Sequence, residues 1–165
     1  MNLSITAATI EDASAIAALR TAVANRLTRD YGLGHWSSAV SEKSVHNGFR
    51  TSRVFVARDG ATILATLRLA TKKPWAIDVT YFTDVGKALY LLDMAVEPDA
   101  QKRGIGRRMV EEATGIAREW PSDAIRLDAY DAPAGAGEFY SKCGFTEVGR
   151  VTYRKTPLIY YELVV

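Results

Sequence analysis

The sequence predicts an α/β fold built on a mixed sheet. Three observations carry this expectation. Strand-like and helix-like segments follow one another as strand, helices, β-meander, helix, strand, helix, strands. Two β-rich runs flank Asp59-Gly60, the signature of a tight hairpin. Leu89 to Val96 is a nearly continuous apolar run, the pattern of a central strand buried on both faces.

Each element has its own justification. Leu3 to Ala7 alternates as a short strand does. Thr9 reads as a helix N-cap with Asp12 three residues on, and Ile16, Leu19, Val23 and Leu27 follow at helical spacing. Gly32-Leu33-Gly34 ends that helix. A second, short helix starts at Ser41, with Val45 and Phe49 on one face. Arg53 to Arg58 and Thr62 to Ala70 form the hairpin, closed off by Lys72-Lys73-Pro74. Residues 75 to 88 are ambiguous between an extended loop and another short strand. Beyond the central strand, Ile105, Met109, Ala113 and Ile116 mark a long helix ending near Trp120-Pro121. Ile125 to Tyr130 is a strand. Residues 134 to 142 form a short helix that Gly135 and Gly137 weaken. Phe145 to Tyr153 and Leu158 to Val164 read as a closing pair of strands.

Composition narrows the function classes. At 165 residues, without repeats or a long linker, the chain is expected to be one domain spanning 1–165. It is 48% hydrophobic and 24% charged, as a soluble globular protein is, and its net charge of +2 gives no argument for nucleic acid or membrane partners. No apolar run approaches a bilayer span, and the N-terminus lacks signal-peptide character. The single Cys143 cannot form an internal disulfide, which favours a cytoplasmic location; it is expected in the core. No metal is expected. The two terminal strands are expected to leave an edge on which a homodimer is feasible.

The stretch QKRGIGRRM, residues 101–109, sits between the buried strand and the long helix. Gly104 and Gly106 let the backbone turn sharply and approach a ligand. The first N–H groups of a helix lack internal partners, and with the helix dipole they form an anion site suited to a pyrophosphate. Lys102, Arg103, Arg107 and Arg108 add positive charge. A dinucleotide fingerprint requires a third glycine where Met109 stands, and the phosphate P-loop pattern is absent. A glycine-rich turn with a solvated basic helix end remains as the bland alternative.

The wider context resembles the GNAT superfamily of N-acetyltransferases. LLDMAVEPDAQKRGIGRRMVEEA is similar to its motif A, whose [QR]-x-x-G-x-[GA] core is met by Gln101, Gly104 and Gly106 after Val96-Glu97-Pro98. LDAYDAPAGAGEFYSKCGFTEVGR is similar to motif B, through Phe139, Tyr140, Gly144 and Phe145. Together the two regions cover residues 89 to 150. The resemblance implies a GNAT-like, mostly antiparallel central sheet with a splayed V-shaped opening, flanked by helices. Acetyl-CoA as cosubstrate would lay its pyrophosphate on Gln101, Lys102, Arg103, Gly104, Ile105, Gly106 and Arg107, and its pantetheine along Met94, Ala95 and Val96. A backbone N–H of that strand would serve as oxyanion donor. One departure is visible: many members carry Asn shortly before the motif B helix, where this chain has Pro133.

The implied reaction is direct attack of a primary amine, on a small molecule or a peptide, on the thioester. Tyr140 matches the family's tyrosine acid for the leaving thiolate. A lysine-like amine is neutral only about once in a thousand at pH 7, so a base is useful. Asp93 and Asp128 each interrupt an apolar strand and are candidates, though each is equally suited to a local salt bridge, and water can also carry the proton. His35, Trp36, Trp75 and Tyr81 are the candidate acceptor-binding residues. The competing reading is a CoA-binding regulatory or interaction module that has lost turnover.

Overall fold

A computed structural model describes all 165 residues. Its elements are β1 (Leu3–Ala7), α1 (Ala13–Tyr31), α2 (Glu42–Thr51), β2 (Arg53–Asp59), β3 (Thr62–Ala70), β4 (Ala88–Val96), α3 (Ile105–Glu119), β5 (Ala124–Tyr130), α4 (Gly137–Lys142), β6 (Thr146–Tyr153) and β7 (Thr156–Val164). The strands form one open sheet in the order β1-β2-β3-β4-β5-β7-β6. The β1–β2, β2–β3, β5–β7 and β6–β7 ladders are antiparallel, whereas β4 and β5 run parallel. The open edges are therefore β1 and β6. The C-terminal strand β7 lies between β5 and β6, so the closing pair of strands leaves its edge on β6.

The chain's internal contacts divide it into Met1–Ala70 with Leu92–Glu112, and Thr71–Leu91 with Ala113–Val165. In the first unit, Ala13, Ile16 and Ala17 of α1 pack with Val45 of α2 and with Val54 and Val56 of β2. Ser41 caps α2 as its sequence predicts, accepting from the Ser44 N–H at 3.1 Å. Thr9 is likewise an N-cap with Asp12 three residues on, here of a single 3₁₀ turn over Ile10–Asp12 that leads into α1, and its N–H donates to Asp12 at 2.9 Å. Asp12 also takes Arg58 at 2.6 Å, and that bond holds its carboxyl below the usual range.

The second unit centres on Ile77, Phe82, Tyr90 and Tyr160. Residues 75–87 contain no strand. They run as a loop with one 3₁₀ turn over Val79–Tyr81. A buried ion pair ties this loop down. Arg126 of β5 bonds Glu162 of β7 at 3.1 Å, the Tyr90 hydroxyl at 3.2 Å and the Thr83 carbonyl at 2.6 Å. The Thr83 N–H closes the network on Glu162 at 3.1 Å.

Two boundaries differ from the sequence reading for local reasons. The short helix starts at Gly137, not at 134, because Ala132–Gly135 makes a tight turn: a Cβ on Gly135 would collide with the Tyr130 carbonyl. The β6–β7 hairpin turns through Arg154 and Lys155, both left-handed at φ 46° and 70°. Two-residue turns of that hand favour Gly and Asn, so neither side chain announces it.

Candidate functional site

In the first unit, the Gln101–Gly106 loop is built by local bonds. Glu97 N–H donates to the Leu64 carbonyl at 2.7 Å and anchors the end of β4 on β3. A short 3₁₀ turn, Pro98–Ala100, follows. The Gln101 side-chain amide reaches back to the Val96 carbonyl at 3.1 Å, so the motif glutamine fastens the loop to the strand. Lys102 and Gly104 both take left-handed backbone, φ 64° and 80°. The first helical bond of α3 runs from Arg108 N–H to Gly104 C=O at 3.1 Å. The amides of Ile105 and Gly106 thus precede any acceptor within the helix. A Cβ added at Gly104 would meet nothing within 4 Å, so the backbone there is open to close approach. Lys102, Arg103 and Arg107 are exposed around it. The sequence-predicted loop residues are therefore brought together at a helix N-terminus able to hold an anion.

On β4, Met94 and Val96 are half-buried and Ala95 is buried. Asp93, just before them, is left-handed at φ 54° in the middle of the strand. Its carboxylate is ion-paired, the salt-bridge alternative that the sequence left open beside a catalytic one. Arg20 of α1 pairs with one oxygen at 3.1 Å and Arg68 of β3 with the other at 2.6 Å. Sequence reasoning missed both arginines, since their spacing from Asp93 is set only by folding.

In the second unit, Tyr140 of α4 is buried among Phe139, Phe145 and Tyr161, with ring centroids 5.2, 5.6 and 6.3 Å away. Burial pushes its hydroxyl well above the ordinary tyrosine value, and Cys143 and Asp128 push the same way. Asp128, half-buried on β5 opposite Tyr160 of β7, also raises the Tyr160 hydroxyl, although burial dominates there. Tyr140 and Asp128 therefore share one electrostatic neighbourhood. Cys143 is half-buried, which corrects the expectation of a core residue.

Trp75 and Tyr81 line a single open groove of about 640 Å³, together with Lys73, Asp78, Tyr153 and Tyr160. Trp75 is 83% exposed and Tyr81 43%. The Tyr160 hydroxyl donates to the Ala76 carbonyl and accepts from the Asp78 N–H at 3.1 Å, fixing the groove's floor. Gly149 of β6 makes room for Tyr81, because a Cβ there would collide with the ring. Tyr153 and Tyr160 went unnoticed in the sequence, where they read as ordinary strand residues. His35 and Trp36 lie in the first unit, in the loop after α1. His35 is exposed. Trp36 is half-buried, bonds the Gly32 carbonyl at 3.0 Å and covers Gly34.

No helix is long and apolar enough to cross a membrane. Residues 50–147 match the family described as "Acetyltransferase (GNAT) domain". An uncharacterized N-acetyltransferase of Bacillus subtilis (strain 168), YesJ, is 30% identical over 149 residues, covering 86% of this chain and 81% of that one. The PaiA N-acetyltransferase of Thermoplasma acidophilum, solved in complex with coenzyme A, superposes with a TM-score of 0.76 at 16% identity over 100% of both chains. YncA from Salmonella typhimurium, a putative acetyltransferase solved with its cofactor acetyl-CoA, gives 0.72 at 15% identity, over 98% of this chain and 93% of that one. Motif A on a strand–loop–helix, motif B on α4, and these matches lead to one conclusion: the chain belongs to the GNAT family of N-acetyltransferases.

Proposed function

We propose that the chain transfers the acetyl group of acetyl-CoA to a primary amine by direct attack on the thioester, the whole chain serving as one catalytic domain. The observation that carries the donor half is the Gln101–Gly106 loop. Its two left-handed residues, the open face of Gly104 and the unpartnered first amides of α3 suit the pyrophosphate of CoA. Backbone groups of Met94, Ala95 and Val96 bind the pantetheine arm by strand-like pairing, and one N–H there stabilises the thioester oxyanion.

The amine nitrogen forms a bond to the acetyl carbon, the C–S bond breaks, and the thiolate takes a proton from the Tyr140 hydroxyl. A tyrosine holds that proton throughout the neutral range, and burial, which raises the Tyr140 hydroxyl further, makes it the weaker acid of the exchange unless the bound thiolate lies close enough to take a hydrogen bond from it. Asp128 or water accepts the proton released by the amine, and Tyr140 is recharged from solvent. Asp93 is left out of proton transfer because both its oxygens are already ion-paired. The groove of Trp75 and Tyr81 receives the acceptor, its aromatic walls suiting an ammonium or an apolar side chain.

The test is thiol release from acetyl-CoA with a panel of small and peptide amines, on the wild type and on Trp75→Ala. Turnover with at least one amine, and a raised acceptor KM in the variant, is the expected result. CoA binding without turnover on any amine would instead favour a binding module. Turnover with unchanged acceptor KM would remove the groove from the site.

A further inference from the structure

Asp93 is the one residue with positive φ inside a strand; the others lie in turns, loops or at helix ends. Aspartate suits the position on local grounds. It is a poor strand residue, and it is among the few non-glycine residues that visit left-handed backbone. Such a conformation persists only where its surroundings over-determine it. Those surroundings are visible here. Arg20 arrives from α1 and Arg68 from β3, one on each carboxylate oxygen. Arg68 is braced in turn. Its Nη1 donates to the Ser52 hydroxyl at 3.3 Å, and that hydroxyl donates to the Gly48 carbonyl at 2.5 Å. Arg68 lies against α2 at Gly48, where an added Cβ would stand in ordinary contact with its Cδ at 3.4 Å. Beneath the cluster is a small cavity of about 20 Å³, lined also by Ile16, Ser44 and Val45. That space suits about one water and no substrate.

We infer that Arg20 and Arg68 are positioning residues: they clamp the Asp93 carboxylate and so hold the β4 backbone in its left-handed kink, setting the direction of Met94–Val96. This rests on the proposal that Met94–Val96 receives the acyl donor. The clamp uses Asp93 for its conformation and its oxygens, not for proton transfer. Two other roles, general base and plain stabiliser, predict different patterns among variants.

Three substitutions at Asp93 separate them. Asp93→Asn tolerates left-handed backbone and keeps an oxygen for an arginine, so kcat/KM for acetyl-CoA should stay within about fivefold of wild type. Asp93→Ala loses both, and misplacement on the ångström scale predicts a loss of about 10²-fold. Asp93→Gly regains the backbone freedom alone and should lie between them. Arg68→Met, in a chain that keeps Asp93, should move acetyl-CoA KM in the same direction as Asp93→Ala. A base would make Asn, Ala and Gly equally inactive and would remove the acidic limb of the kcat–pH profile, and that pattern overturns the clamp. Equal activity in all four variants overturns it too, leaving at most a stabilising role. Amide hydrogen exchange at residues 94–96, measured without cofactor, reads the kink independently of turnover. Faster exchange there in Asp93→Ala and Arg68→Met, but not in Asp93→Asn, supports the clamp even if no amine is acetylated, which would be a failure of the proposed reaction alone. Unchanged exchange in all variants refutes the clamp whatever the activity. Should Asp93→Ala not fold, Arg68→Met and Arg20→Met carry the same comparison.

Discussion

Replacing Gly104 by glutamate tests the assignment of the donor loop most directly. The residue has φ 80° and a Cβ there meets nothing within 4 Å, so the substitution introduces backbone strain and charge but no collision. The strain, about 1–2 kcal/mol for a side chain in left-handed backbone, lowers folding stability. The charge acts on binding. A carboxylate about 5 Å from one phosphate charge is repelled by about 1 kcal/mol if water screens fully and about 3 kcal/mol at an effective dielectric constant near 20. Affinity for CoA should therefore fall between about 5-fold and about 200-fold per phosphate charge faced. Gly104→Ala is the control, because it carries the strain without the charge. Calorimetric titration of CoA into the wild type and both folded variants, at low and moderate salt, gives the comparison. The glutamate variant should be the weakest binder, and its deficit should shrink as salt rises. Equal CoA affinity in folded Gly104→Glu and wild type would refute the placement of the pyrophosphate.

Tyr140→Phe keeps the ring among Phe139, Phe145 and Tyr161 and removes only the hydroxyl. Loss of general-acid help should lower kcat by about 10²–10⁴-fold with CoA affinity changed less than about tenfold, and near-normal kcat with chemistry rate-limiting would return the residue to the core. Arg126→Met removes three hydrogen bonds and leaves buried Glu162 with only the Thr83 N–H among its mapped partners. We expect a loss of about 3–5 kcal/mol, or roughly 6–20 °C in Tm, part of which Arg126→Met with Glu162→Leu should restore; a loss below about 1 kcal/mol would show the pair is not buried in solution. Tyr140, Tyr160 and Tyr161 all have hydroxyl values raised by burial. Their folded forms hold protons that the unfolded chain releases near pH 10, so their stabilising contribution is complete below pH 10 and is lost as pH rises through the folded values. Chemical denaturation between pH 9 and 11 should show this fall, and in Tyr140→Phe the slope should be shallower by about half a proton at pH 10 and by nearly one, about 1.36 kcal/mol per pH unit, toward pH 11; an unchanged slope would mean Tyr140 ionises equally in both states.

Local chemistry explains which parts of the fold were legible. Asp59-Gly60 marked a hairpin because Gly60, at φ 61°, supplies the left-handed turn the geometry needs. Ser41 marked a helix start because its hydroxyl satisfies an orphan N–H. Arg154-Lys155 builds a comparable turn with no such residue, so only the flanking strands foretold it. Residues 75–87 were unreadable for a different reason. The loop is held by partners distant in sequence: Tyr160 bonds Ala76 and Asp78, while Arg126 and Glu162 bond Thr83. No window of the chain contains both sides of those bonds. Strand order is hidden likewise, since nothing in β7 says that it enters the sheet between β5 and β6.

The candidate site divides along the same line. The Gln101–Gly106 loop is made of consecutive residues whose bonds, at Gln101, Arg103 and Gly104, all reach near neighbours, so a motif can encode it. Gln101 reaches only as far as Val96, and Arg103 only to the Asp99 carbonyl. The surroundings of Asp93 are non-local: 73 residues separate it from Arg20 and 25 from Arg68. From the sequence, a lone aspartate in an apolar strand offers two equal readings, proton acceptor or salt-bridge partner. The two arginines, one on each oxygen, favour the salt-bridge reading, and neither can be found from the sequence around Asp93. The groove proposed for the acceptor falls in the same non-local class. Trp75 and Tyr81 share a groove only because Tyr160 pins the loop from below and Gly149 leaves space for the Tyr81 ring. If the proposed roles hold, a donor loop written in contiguous residues and an acceptor groove assembled from distant ones is an arrangement in which acceptor preference can change while the donor loop stays fixed.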